Sequence, residues 1–200
     1  LNKLTKARIL DLPGTYSLNA SSMDESLVVE LLLNKNDPDY PDVAVVITDV
    51  ENLKRNLLLF SQIKDLEIPT ILVVNMSDQI SRRGIKIDVK KLKEKLNTEV
   101  ILVSTRKNSG VSDLKKTLAD YRKLSTKPFL DTKIIDKEYF ESLQLAFPNQ
   151  SPYKLWLVIT QDINFTKLDR QKVSDSSAFR SLPRSQLKNL QQRETIHRYQ

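Results

Sequence analysis

The sequence predicts an α/β fold, a mostly parallel sheet with flanking helices, followed by a small all-helical domain. Short apolar runs recur at intervals of about thirty residues, the spacing of βαβ units. Each run is apolar on consecutive rather than alternate residues, the pattern of strands covered on both faces. Helical periodicity lies between the runs and takes over entirely in the last third of the chain.

The runs are Ala7 to Leu12, Val43 to Thr48, Thr70 to Val74 and Val100 to Val103, and four strands are expected from them. Asn52 to Leu66 reads as a helix because Leu53, Leu57, Phe60 and Ile63 share one face, with Asn52 as its cap. Further helices are expected over Val89 to Leu96 and Ser112 to Lys123. Ser125-Thr126-Lys127-Pro128 then interrupts the pattern and reads as a linker, dividing the chain into domains over 1–126 and 127–200. Beyond it, helices are expected over Asp136 to Ala146, from Ser151-Pro152, where Pro suits the first turn, and over Arg184 to Tyr199. Leu155, Trp156, Leu157 and Ile159 would supply that domain's core.

Composition narrows the function. With no cysteine and one histidine, His197, these residues hold neither a disulfide framework nor a cysteine-based zinc or iron site. The net charge of +7 is spread along the chain: 20 basic and 17 acidic residues in 1–126, 12 and 8 in 127–200. No face or tail concentrates it, so no nucleic-acid partner is expected. The apolar runs are far shorter than the ~20 residues of a membrane helix, and a soluble fragment is expected. The start at Leu1 lacks an initiator Met and a signal-peptide core, so the chain is expected to begin inside a longer gene product.

Three loops stand where a parallel sheet binds ligands, beyond the carboxyl ends of strands. In Asp11-Leu12-Pro13-Gly14, the carboxylate can hold Mg²⁺ through its water shell, and the glycine N–H can approach a terminal phosphate. The same tetrapeptide also reads as an ordinary turn leaving a strand. In Asn75-Met76-Ser77-Asp78, a carboxylate at Asp78 can accept from the N1–H and 2-amino group of guanine, donors that adenine lacks. Sites of this kind discriminate by roughly 10⁴ or more. Asn75 would brace neighbouring loops. In Ser104-Thr105-Arg106-Lys107-Asn108-Ser109-Gly110, successive backbone N–H groups can receive the guanine carbonyl oxygen. Each loop taken alone has a bland reading as a turn; their order and spacing favour one site, with 64 residues from Asp11 to Asn75 and 29 more to Ser104. His197 and the pair Arg82-Arg83 read as surface residues, and Lys90, Lys91, Lys93 and Lys95 as the outer face of a helix.

These elements resemble the magnesium, base-specifying and base-supporting boxes of translation-factor-like, P-loop GTPases. The flanking segments, Asp11 to Leu18, Asp49 to Leu57, Arg83 to Asp88, Ser104 to Lys107 and Leu190 to Tyr199, look like the cytosolic portion of the family of bacterial ferrous iron transport protein B. The resemblance implies a GTPase whose GTP/GDP state controls ferrous iron uptake through a transmembrane iron-permease domain of the same polypeptide, at the cytoplasmic face of the bacterial inner membrane. It implies a helical domain after the linker that damps GDP release. Asp11 would hold Mg²⁺ through water, and Gly14 would sense the γ-phosphate. Asn75, Met76, Ser77 and Asp78 would select guanine, with Ser104, Thr105 and Arg106 lining the base pocket. A monovalent cation such as K⁺ is a candidate helper, and oligomerisation stays open. Thr15 to Asp24 would form the second switch.

Three departures qualify the resemblance. Met76 replaces the usual Lys, covering the base with an apolar stem. Thr15 stands where a glutamine usually orients water, so the catalytic group is unassigned. No Gly-x-x-x-x-Gly-Lys-Ser/Thr phosphate loop occurs in these residues, and it is expected before Leu1, with the first switch missing between about Thr5 and Arg8. Two other readings stand beside the GTPase: a degenerate nucleotide-binding regulatory or docking module without hydrolysis, and a ribosome-assembly GTPase.

Overall fold

The computed structural model describes residues 6–20, 22–160 and 182–200. These form two compact units, one of residues 6–12 and 41–129 and the other of residues 13–20, 22–40, 130–160 and 182–200.

The first unit is built on a three-stranded parallel sheet in the order β1-β2-β3, with β1 Ala44–Asp49, β2 Thr70–Asn75 and β3 Val100–Leu102. The central strand is buried from Thr70 through Val74, as its unbroken apolar run requires of a strand covered on both faces. Ile71, Val73, Ile101 and Val103 form a core cluster on one face. Val111, Leu114 and Leu118 of helix α4 (Val111–Ala119) pack against it, counting helices from α1 in the second unit. Helix α2 (Leu53–Asp65) packs on β1 and β2, and α3 (Val89–Leu96) on β3. Asp88 caps α3, its side chain accepting from the Lys91 amide at 2.9 Å. The expected helix to Lys123 stops at Ala119 and continues as a 3₁₀ turn over Tyr121–Lys123.

Two expectations for this unit are corrected. Ala7 to Leu12 is not a strand: it forms no ladder, and Ile9 and Leu10 are 88% and 46% exposed. Apolar composition supplies surface to bury but not a neighbouring edge, and pairing is what makes a strand. Asn52 precedes α2 but makes no side-chain cap; its side-chain Nδ2 donates to Asp49 Oδ2 at 2.8 Å, a charge-assisted bond that holds the amide toward the preceding loop.

In the second unit the regular elements are all helical among the described residues. Helix α1 (Met23–Leu33) is capped by Ser22, and it occupies most of the stretch that follows the polar segment from Thr15. Helices α5 (Lys137–Ala146), α6 (Pro152–Thr160) and α7 (Arg184–Tyr199) follow, with Asp136 capping α5 through the Tyr139 amide at 3.0 Å. Trp156 and Leu157 are fully buried, and Leu155 and Ile159 nearly so. Tyr139, Phe140 and Trp156 meet edge to face with ring centroids 5.3–6.0 Å apart. Glu194 of α7 is buried among donors: Tyr153 OH at 3.0 Å, Trp156 Nε1 at 2.7 Å and Arg198 Nε at 2.8 Å. His197, expected at the surface, is half-buried on the same helix.

Candidate functional site

Parallel pairing puts the three carboxyl ends side by side. Asp49 is in register with Asn75, and Val74 with Leu102, so the loops leaving β1, β2 and β3 share one edge of the sheet. Each loop is shaped by its own residues. After β1, Asp49 Oδ1 accepts from the amides of Glu51 and Asn52, both at 2.8 Å, turning the chain into α2.

After β2, Met76 adopts the left-handed conformation at φ 59° and exposes its side chain. That reversal lets the Ser77 amide donate to Val103 O at 3.0 Å and starts a 3₁₀ turn, Ser77–Gln79, which carries Asp78. After β3, Ser104 and Ser109 exchange both backbone hydrogen bonds at 3.1 Å, closing a narrow loop whose tip is Thr105 to Asn108.

The second and third loops are joined by side chains. The buried hydroxyl of Ser104 donates to Asp78 Oδ1 at 2.7 Å, and its oxygen accepts from the Lys107 amide at 3.2 Å. Asn75 Oδ1 accepts from the Thr105 amide at 3.4 Å. The Ser104 hydrogen bond is the main reason the Asp78 carboxyl lies below its usual range, aided by the cationic Lys107 and Arg106. Asp78 is therefore a fixed carboxylate at neutral pH. Asn75, Asp78, Ser104 and Thr105 come together as one cluster, with Met76, Ser77 and Arg106 between or beside them.

The Asp11 to Gly14 segment stands differently. It is exposed and belongs to no strand, so it is not found at a strand's carboxyl end. A Cβ added at Gly14 would meet nothing within 4 Å, so the fold itself makes no demand for glycine there. The Thr15 hydroxyl donates to Ser17 O at 2.7 Å, a local turn bond. Among the described residues no group of three His, Cys, Asp or Glu side chains could hold a metal ion. A lone exposed carboxylate at Asp11 fits a cation held through water and completed by phosphate oxygens, the usual manner for Mg²⁺.

Two contributors have no assigned role in the sequence reading. Gly110 stands at φ 78°, and a Cβ on it would lie 2.1 Å from the carbonyl oxygen of Leu102. Its place directly before α4 was the available signal. Arg83 forms an ion pair with Glu51 and donates from Nε to Gln79 Oε1 at 2.8 Å, tying the first loop to the segment after β2. A pair 32 residues apart leaves no local signal in the sequence.

The family model described as ferrous iron transport protein B matches residues 1–118. The Fe(2+) transporter FeoB of Leptospira biflexa serovar Patoc is 33% identical over 164 residues, covering 73% of this chain and 23% of that protein. Its counterpart in Staphylococcus aureus strain MSSA476 is 40% identical over 107 residues, 54% of this chain and 16% of the relative. The chain thus spans less than a quarter of the length of either. The cytosolic domain of the T. maritima FeoB iron transporter in its GMPPNP form superposes with a TM-score of 0.75 at 24% identity, covering 95% of this chain and 75% of that one, and shows the shared fold. The FeoB G-domain from Methanococcus jannaschii gives 0.52 at 37% identity, covering 56% and 69%. With more than half of its residues matched by the family model, the chain belongs to the family of ferrous iron transport protein B.

Proposed function

We propose that this chain is the guanine-nucleotide-binding and GTP-hydrolysing part of a ferrous iron transporter, facing the cytoplasm, with its nucleotide state controlling Fe(II) passage through a transmembrane domain of the same polypeptide. The observation that carries the reading is the Ser104–Asp78 hydrogen bond at the carboxyl edge of the sheet. It fixes an ionised carboxylate that still has lone pairs for the N1–H and 2-amino group of guanine. The T. maritima relative was solved in GMPPNP and GDP forms, which supports the same ligand class here.

In this reading Asn75 positions the Thr105 amide, and the backbone N–H groups of Thr105 and Arg106 meet the guanine carbonyl oxygen. Met76 lays its exposed stem over the base, and Ser77 anchors the turn through Val103. Asp11, Leu12, Pro13 and Gly14 serve the phosphate end, Asp11 through the water shell of Mg²⁺. Bound there, Mg²⁺ would neutralise phosphate charge as the terminal phosphoryl group leaves. Gly14, without a side chain, would let a phosphate oxygen approach its backbone N–H closely. Thr15, engaged with Ser17 O, is not assigned to orient water.

Calorimetric titration of GDP and ATP into the full-length polypeptide tests this. GDP should bind, and ATP should bind at least about a thousandfold more weakly. Absence of GDP binding would overturn the reading. A regulatory module that binds nucleotide without hydrolysis is the alternative. Phosphate release from GTP separates the two.

A further inference from the structure

At the opposite, amino-terminal edge of the sheet, α2, α3 and the segment after α4 border an open pocket of about 410 Å³, within the range of small-molecule sites. Lys64, Lys95 and Lys127 line it, against one carboxylate, Glu94. Lys64 is fully buried, and its Nζ donates to Ser125 O at 2.6 Å. An ammonium has three donors, and one carbonyl satisfies one of them. Burial pushes the Lys64 amine below its usual range, against the opposing pull of the neighbouring Asp65 carboxylate. Asn97 adds a side-chain amide in the left-handed turn that ends α3, held by Ser125 Oγ at 2.8 Å. Pro128 and Phe129 supply an apolar wall beside the three cations.

We propose that this pocket is a second ligand site, binding a small phosphorylated organic molecule, with Lys64, Lys95 and Lys127 on the phosphate and Phe129 against the organic part. Three lysines against Glu94 and the buried Asp65 leave a net positive surplus that suits a phosphate anion, and an anion brought next to Lys64 offsets the cost of its burial. The apolar wall favours a phosphate monoester over the bare ion. The site is separate from the guanine loops by the six-residue length of β2, roughly 15–20 Å. It does not rest on the GTPase reading. Lys127 to Phe129 is both a wall of the pocket and the end of the first unit, so a ligand here would stiffen that segment.

Titrating phenyl phosphate and inorganic phosphate into the isotope-labelled chain, followed by amide NMR, tests the proposal. Phenyl phosphate should saturably shift the amides of Asn97, Thr98, Lys127 and Phe129, and bind about tenfold tighter than inorganic phosphate. Lys64→Met should weaken it about tenfold or more. Lys127→Ala, at an exposed position that leaves the fold intact, should weaken it several-fold. Shifts confined to the loops at Asp78 and Ser104, no saturation, or unchanged affinity in Lys127→Ala would overturn the proposal. GDP binding should be the same in Lys127→Ala as in the parent, so failure here and failure of the nucleotide reading are told apart.

Discussion

The carbonyl oxygen of Leu102 occupies the space that a Cβ on Gly110 would need, 2.1 Å from its ideal position. The atom is backbone at the end of β3, so it cannot swing aside, and the φ of 78° adds a second penalty for any other residue. Gly110→Ala should cost about 2–4 kcal/mol, from the left-handed conformation and from overpacking. The urea midpoint should fall with the slope unchanged, and the Ser104–Ser109 loop should loosen. An unchanged midpoint would show that β3 and α4 can part without penalty.

Removing the Ser104 hydroxyl should free Asp78. Its carboxyl, held down first by that hydrogen bond, should titrate closer to the ordinary carboxylate value in Ser104→Ala, read by carbon NMR of the side chain. The sign follows from the depressed pKa: this contribution to stability is present above the unfolded carboxylate pKa and is lost as pH falls through the lower folded value. The variant should therefore lose less stability over that acid range. GDP affinity should drop about tenfold through lost positioning.

Asp78→Asn exchanges an acceptor for a donor opposite the guanine 2-amino group. GDP affinity should fall by about a hundredfold or more, while xanthosine diphosphate, with a carbonyl at that position, should gain. Competition titration against both nucleotides reads the switch directly. Unchanged preference for GDP would mean that the base is held elsewhere.

In the second unit, Glu194→Gln should be costly for a different reason. The carboxylate accepts from Tyr153, Trp156 and Arg198, and both members of the ion pair are buried. Substituting an amide removes the Glu194 charge from beside the buried Arg198 guanidinium and turns one acceptor into a donor facing other donors. The loss should be about 3–5 kcal/mol. Trp156, the single tryptophan, reports it by fluorescence during denaturation. Replacing Glu194 and Arg198 together with Leu and Met should recover part of the loss.

What was legible in the sequence follows from where the energy is local. Thr70 to Val74 reads as a buried strand because five consecutive residues are covered on both faces, and the helices with a one-sided apolar face follow their spacing. Ala7 to Leu12 carries the same composition yet lies outside the sheet, since a run of side chains says nothing about which backbone edge will meet it. Helix α1 went unforeseen because Leu27 to Leu33, interrupted only by Glu30, leaves no polar stripe to mark a period, although Ser22 caps it in the ordinary way. At the site, residue identity pointed to Asn75, Asp78 and Ser104. The bonds that fix them, Ser104 to Asp78 and Thr105 to Asn75, join residues 26 and 30 apart and exist only once β2 and β3 are paired.

The hydrogen bonds at the end of α2 bear on where this polypeptide can be divided. Lys64 holds the Ser125 carbonyl, and the Phe129 amide donates to Asp65 Oδ1 at 2.5 Å, so the residues after Thr126 help complete the end of a helix some 60 positions earlier. A fragment trimmed at the Ser-Thr-Lys-Pro stretch would take that amide away from a buried carboxylate and strip the cover from α2. One carried through Phe129 keeps both, and should express and fold as the better-behaved piece.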